Sequence, residues 1–128
     1  MIIDTSALVA IVLREPGWEG LLERVSEAAP PGAGAPTLAE AGLVLTARLG
    51  PDGKRLLATF LLELEIVVVP FGDAHWKAAV NAFRRYGKGQ HPARLNFGYC
   101  LSYATAKLAG QPLLYTGSDF GKTDLPTA

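Results

Sequence analysis

A single α/β domain of three layers, with helices on both faces of a mainly parallel central sheet (α/β/α), is what this sequence predicts. Short apolar runs at 1–4, 66–69 and 113–115 alternate with stretches whose apolar residues recur at helical spacing. A length of 128 residues suits one hydrophobic core, so residues 1–128 are expected to form one domain. Hydrophobic residues make up 49% of the chain and charged residues 19%, which is globular and leaves little polar cover. Some apolar surface is therefore expected to meet a partner.

The elements follow in order. Met1 to Asp4 reads as a strand, and Ser6 to Leu13 as a helix halted by Glu15-Pro16-Gly17. Trp18, Leu21, Leu22 and Val25 set the apolar face of a second helix ending near Ala28. Ala29 to Pro36 is rich in Pro and Gly and reads as a loop or very short strand. Thr37 opens a helix to Leu49, closed by Gly50-Pro51, and Asp52 to Leu64 forms the next. Ile66-Val67-Val68-Val69 is a β-branched run expected to be a strand buried on both faces. Asp73 caps a helix through Tyr86, Gly87 to Pro92 is a loop, and Asn96 caps a helix ended by Gly110. Leu113-Leu114-Tyr115 is a last strand before a polar tail.

No apolar stretch approaches the ~18 residues of a membrane span. Residues 1–13 lack a basic leader and carry Asp4, so no secretory signal is read there. The single Cys100 excludes an internal disulfide and fits a reducing cytoplasm, with a small buried hydrophobe as its expected role. Net charge is zero, which argues against non-specific coating of nucleic acid. The charges are nonetheless segregated. No Asp or Glu falls between Ala74 and Ser118, a stretch that holds Lys77, Arg84, Arg85, Lys88, Arg94 and Lys107. A basic side of this kind can steer a polyanion, although an ordinary solvated face has the same composition.

Three acids take comparable places. Asp4 ends the first strand, Glu40 follows Thr37 in the first turn of its helix, and Asp119 follows the last strand. In a parallel sheet all three can meet at the carboxyl edge, where ligands collect. Clustered carboxylates of this type suit Mg²⁺ or Mn²⁺. Each also has a local explanation: Asp4 as a helix cap, Thr37-Leu38-Ala39-Glu40 as a capping box, Asp119 as a turn residue. Ser6, Asn96 and Thr116 are hydroxyl or amide neighbours for a phosphate, or caps. His75 and His91 lack metal-ligand spacing. Trp18, Trp76 and Phe83 are read as core or interface.

Several blocks carry a family resemblance: Met1-Ile2-Ile3-Asp4-Thr5-Ser6-Ala7-Leu8, Thr37-Leu38-Ala39-Glu40-Ala41-Gly42, Arg85-Tyr86-Gly87-Lys88-Gly89, His91-Pro92-Ala93-Arg94-Leu95-Asn96-Phe97-Gly98 and Leu113-Leu114-Tyr115-Thr116-Gly117-Ser118-Asp119-Phe120. They resemble PIN-domain ribonucleases, and most closely the VapC-type toxins of toxin–antitoxin pairs, over essentially the whole chain. The resemblance implies a PIN-like α/β/α domain, cleavage of cellular RNA of the tRNA or rRNA class with Mg²⁺ or Mn²⁺, a VapB-type antitoxin partner, and a homodimer. It carries over Asp4, Glu40 and Asp119 as catalytic, metal-ligating acids. Ser6, Asn96 and Thr116 become phosphate neighbours, with Arg84, Arg85, Lys88 and Arg94 as guides for the RNA backbone.

One position departs from the pattern. Where the family reads Leu-Asn-Phe-Gly-Asp-Cys, this chain reads Leu95-Asn96-Phe97-Gly98-Tyr99-Cys100. Tyr99 stands where a further metal-ligating carboxylate is expected, and a phenol with a pKa near ~10 is neutral at pH 7. Two functions follow: an endoribonuclease impaired at one residue, or a silent module that binds antitoxin or RNA. A phosphatase on a doubly wound sheet would need a second acid where Ser6 stands, and a phospho-receiver would need one where Val69 runs into Pro70.

Overall fold

The chain's computed structural model describes residues 1–28 and 30–128. Among them run β1 (Ile2–Ile3), α1 (Thr5–Val12), α2 (Trp18–Glu27), β2 (Gly32–Gly34), α3 (Ala35–Leu49), α4 (Asp52–Glu63), β3 (Val67–Val69), α5 (Asp73–Tyr86), α6 (Phe97–Ala109) and β4 (Leu113–Leu114). A short 3₁₀ turn, Phe120–Lys122, follows. The strands form one sheet in the order β3-β2-β1-β4, with every pairing parallel.

Strand alternation divides the core between two faces. Ile3 and Leu114 pack with Leu8, Ile11, Leu21, Val25, Leu45 and Leu57 from α1 to α4. Ile2 and Leu113 pack on the other face with Ala82, Tyr86, Cys100, Tyr103, Ala104 and Phe120. Helices therefore cover both sides of a thin sheet, the three-layer α/β/α arrangement the sequence predicts.

The Pro/Gly-rich segment turns out to supply a central strand; its first residue, Ala29, lies outside the described residues. The reason is close packing. A Cβ on Gly32 would lie 3.2 Å from Val69 Cγ2, and one on Gly34 would lie 2.9 Å from Thr105 Oγ1. Small residues let α6 and the neighbouring strand approach β2, so composition that reads as loop serves a crowded interior.

Three expectations are corrected. β3 is one of the sheet's two edge strands, and Val67 and Val68 are 49% and 52% exposed rather than buried on both faces. A β-branched run carries no mark of whether a neighbour stands on its far side. α3 begins at Ala35 with Gly34 as its N-cap and Pro36 in the first turn, so Thr37 is not a cap and the Thr37–Glu40 capping box does not form. α5 likewise begins on Asp73 with Gly72 as N-cap, and Asp73 accepts from the Trp76 indole and from Lys77. Asn96 and Gly110 do cap and close α6, with Gly110 at φ 63°.

Candidate catalytic and metal-binding site

The chain leaves β1 for β2 on one side and returns to pair β4 on the other, the kind of switch point at whose carboxyl ends ligands collect in parallel sheets. Asp4 follows β1 directly at that end. It is 1% exposed and is the N-cap of α1, with Oδ2 accepting from the Ser6 backbone N–H at 3.0 Å and the Ser6 hydroxyl at 2.6 Å. Oδ1 accepts from the Ser102 hydroxyl of α6. The helix cap and the buried carboxylate at the strand end are one residue here. The Ser6 oxygen in turn accepts from the Thr116 backbone N–H at 3.1 Å, tying the loop after β4 to the start of α1. Because Ser102 gives its proton to Asp4, Thr37 Oγ1, 3.3 Å away, is the donor to Ser102.

Glu40 projects from α3 into the same edge. Its Oε1 accepts from Thr5 Oγ1 at 2.5 Å. Its carboxylate also lies against the first turn of α6, where a Cβ on Gly98 would come within 2.5 Å of Oε2. A carboxylate beside the amide end of a helix is electrostatically favoured. Gly98 is what lets it approach.

Tyr99 follows in that same turn, its backbone N–H donating to Asn96 Oδ1 at 3.0 Å. Its ring is 5.0 Å from that of Phe120, which is fully buried. Burial first, then the charges of Asp4, Asp119 and Glu40, push the phenol above its ordinary value. All three acids thus lie within electrostatic reach of one hydroxyl, which stays protonated at neutral pH. Asp119 itself is partly exposed at the start of the 3₁₀ turn and caps nothing with its side chain. Thr116 and Asn96 are exposed at the rim.

The basic residues sit farther round. Arg84 and Arg85 are in the last turn of α5, and Lys88 and Arg94 are in the loop between α5 and α6, all exposed. Arg85 is 3.8 Å from Asp124, whereas Arg84, Lys88 and Arg94 make no ion pair among the described residues. His75 and His91 each accept a backbone N–H within their own turns. Cys100 is buried, as expected, and burial raises its thiol. Trp76, Val80 and Phe83 of α5 and Phe97 of α6 are exposed and line an apolar groove of about 600 Å³.

The donor chemistry suits a hard divalent cation, but the arrangement does not. Among the described residues no three Asp, Glu, His or Cys side chains gather closely enough to hold one. Both oxygens of Asp4 and one of Glu40 already take hydrogen bonds, and position 99 in the first turn of α6 brings a phenol rather than a further carboxylate. As it stands, the site does not fit the ion that the acids suggest.

Sequence reasoning missed four supporting residues: Thr5, Thr37, Gly98 and Ser102. Ser102 carried a usable signal, a polar residue three positions after Tyr99 within the apolar run of α6. A threonine at position 37 suits a helix cap and a buried donor equally, so its type alone does not separate the two roles.

The fold and the sequence both have known relatives. The PIN domain family model matches residues 1–125. The chain is 47% identical over 126 residues to Ribonuclease VapC36 of Mycobacterium tuberculosis, covering 98% of this chain and 91% of that one. It is 42% identical over 125 residues to Ribonuclease VapC of Mycolicibacterium smegmatis, covering 98% and 97%. Among solved structures, VapC20 of Mycobacterium tuberculosis, described as a Sarcin-Ricin loop cleaving toxin, superposes with a TM-score of 0.80 at 16% identity, covering 99% and 97%. VapBC2 from Rickettsia felis, bound to a DNA fragment from its promoter, gives 0.74 at 13%, covering 99% and 96%.

Proposed function

The chain belongs to the PIN domain family and, within it, to the VapC ribonucleases, and from that premise we propose that it is the toxin of a toxin–antitoxin pair, with an RNA-cutting site weakened at Tyr99. The observation that carries this reading is Tyr99 in the first turn of α6, next to Gly98 against which the Glu40 carboxylate lies, with its ring on Phe120, the residue after Asp119. The substrate is cellular RNA of the tRNA or rRNA class, and the silencing partner is a VapB-type antitoxin. The Mg²⁺ or Mn²⁺ suited to these acids needs a further carboxylate at position 99.

The chain's own residues divide the remaining work. Arg84, Lys88 and Arg94, with Arg85, draw the phosphate backbone to the α5–α6 side and supply affinity rather than sequence choice. Asn96 and Thr116 present polar groups at the rim. Ser6 gives its one hydroxyl proton to Asp4, so its part is to fix that carboxylate rather than to donate to a phosphate. The exposed apolar groove on α5 and α6 supports a homodimer. No helix among the described residues is long and apolar enough to cross a membrane, and a cytoplasmic location is part of the proposal.

A second reading, a silent module that only binds antitoxin or RNA, is favoured by the same phenol. Tyr99→Asp separates the two. Cleavage of total tRNA and rRNA in Mg²⁺ or Mn²⁺ by the variant, well above the wild type, supports a weakened nuclease. Cleavage by neither supports the binding module.

A further inference from the structure

Resting on the reading of the α5–α6 side as the face that meets RNA, the ion pairs on that side decide which of its cations are free to do so. Arg84, Lys88 and Arg94 make no ion pair among the described residues. Lys107 and Arg85 differ, because both face Asp124. Lys107 Nζ donates to Asp124 Oδ2 at 2.7 Å, the Tyr103 hydroxyl donates to Oδ1 at 2.6 Å, and the Arg85 guanidinium is 3.8 Å from Oδ2. Tyr103 and Lys107 stand one turn apart on α6, so one face of the helix takes both carboxylate oxygens. The Tyr103 ring lies 5.7 Å from that of Tyr86, the neighbour of Arg85, which sets the cluster against the end of α5.

An anchored segment presents this carboxylate. Leu125 is buried, the Leu113 backbone N–H donates to the Pro126 carbonyl at 3.1 Å, and the Ala128 N–H donates to the Leu113 carbonyl at 3.1 Å. An exposed ion pair ordinarily contributes little, since two mobile side chains give up freedom to form it. Here the backbone and the buried Tyr103 hold the acid beforehand, and both bonds to it are charge-assisted. A phosphate approaching Lys107 has to displace a carboxylate that is fixed in place.

We propose that Asp124 takes the place of an RNA phosphate on this face, keeping Lys107, and in part Arg85, out of contact with the RNA backbone. The free cations Arg84, Lys88 and Arg94 carry the backbone, and the acid narrows the footprint to their side.

Anisotropy of a fluorescein-labelled single-stranded RNA oligonucleotide, measured in EDTA over a range of salt, reads this without cleavage. Asp124→Asn removes the charge and keeps an acceptor for Tyr103; it is expected to steepen the log-salt slope by about 0.7, the value of one regained phosphate contact. Adding Lys107→Gln to that variant should take the gain back, whereas Lys107→Gln alone should change the slope far less. Tyr103→Phe loosens the segment but leaves the carboxylate on Lys107, and should lower the urea midpoint without steepening the slope. Circular dichroism confirms folding of each variant, and Asp124→Ser stands in should the asparagine form fail. An unchanged slope in the Asp124 variant overturns the shield. So does an equal effect of Lys107→Gln in both backgrounds, which is net charge alone, or an equal steepening by Tyr103→Phe, which is loosening alone. In those outcomes the RNA-facing reading stands as long as Arg94→Gln flattens the wild-type slope. If Arg94→Gln and Asp124→Asn both leave the slope unchanged, the shield falls with the reading beneath it.

Discussion

Replacing Ser102 with alanine tests how the buried Asp4 carboxylate is held. Asp4 is 1% exposed, and its Oδ1 has the Ser102 hydroxyl as its partner. Removing that donor leaves a buried carboxylate oxygen unpaired and takes the acceptor from Thr37 Oγ1 as well. A hydrogen bond to a charged group contributes about 1.5–3 kcal/mol, while alanine in a helix interior returns about 0.5 kcal/mol. The net expectation is a loss of about 1–2.5 kcal/mol, read as a lower urea midpoint at unchanged m. Thr37→Val alone should cost less, because Ser102 still donates to Asp4. The double variant should cost less than the sum of the singles, since the groups form one chain. A Ser102→Ala loss below about 0.5 kcal/mol, or strict additivity with Thr37→Val, would show that Asp4 is not held through α6.

Other outcomes follow from the same contacts. Gly98→Ala should leave stability little changed, because the new Cβ meets only the end of the flexible Glu40 side chain. It should displace Glu40, whose oxygen would lie 2.5 Å from the new Cβ, and lower RNA cleavage measured in a Tyr99→Asp background. Asp124 accepts from Tyr103 at 2.6 Å and Lys107 at 2.7 Å. Burial alone would raise its carboxyl, but those bonds and the charges of Lys107 and Arg85 outweigh it and hold the group below its ordinary value. Its contribution is therefore full above about pH 4 and is lost as pH falls through the depressed native value. The stability gap between wild type and Asp124→Asn in urea melts should be widest at neutral pH and close toward pH 2. Alanine at Arg84, Lys88 or Arg94 should weaken RNA binding across sequences and flatten its log-salt slope by about 0.7 per lost phosphate contact, measured by fluorescence anisotropy.

How much of this was legible in the sequence depended on what each residue type can signal. The alternation of apolar runs and helical spacings gave the layered fold, and Asn96 and Gly110 marked the ends of α6 through cap chemistry that needs no tertiary context. β2 was harder to read because its glycines answer to the close approach of α6 and β3, contacts set by residues as distant as Thr105. Val67 and Val68 have the composition of a buried strand but lie at an edge, a matter of strand order that periodicity does not encode. At the site, strand-end logic put Asp4 and Asp119 after β1 and β4, but it did not show that the three acids fail to gather closely enough among the described residues to hold a cation. The partners that hold Asp4 and Glu40, namely Ser102 and Thr5, come from other parts of the chain and leave no local pattern. Tyr99 stood out only because a family pattern had an acid there.

Crystals of Tyr99→Asp soaked in Mn²⁺ test the central claim most directly, through anomalous difference density. The account predicts one peak in contact with the carboxylates of Asp4 and Asp119 and the new carboxylate at position 99. Density confined to other surfaces, or none at saturating Mn²⁺, would contradict it.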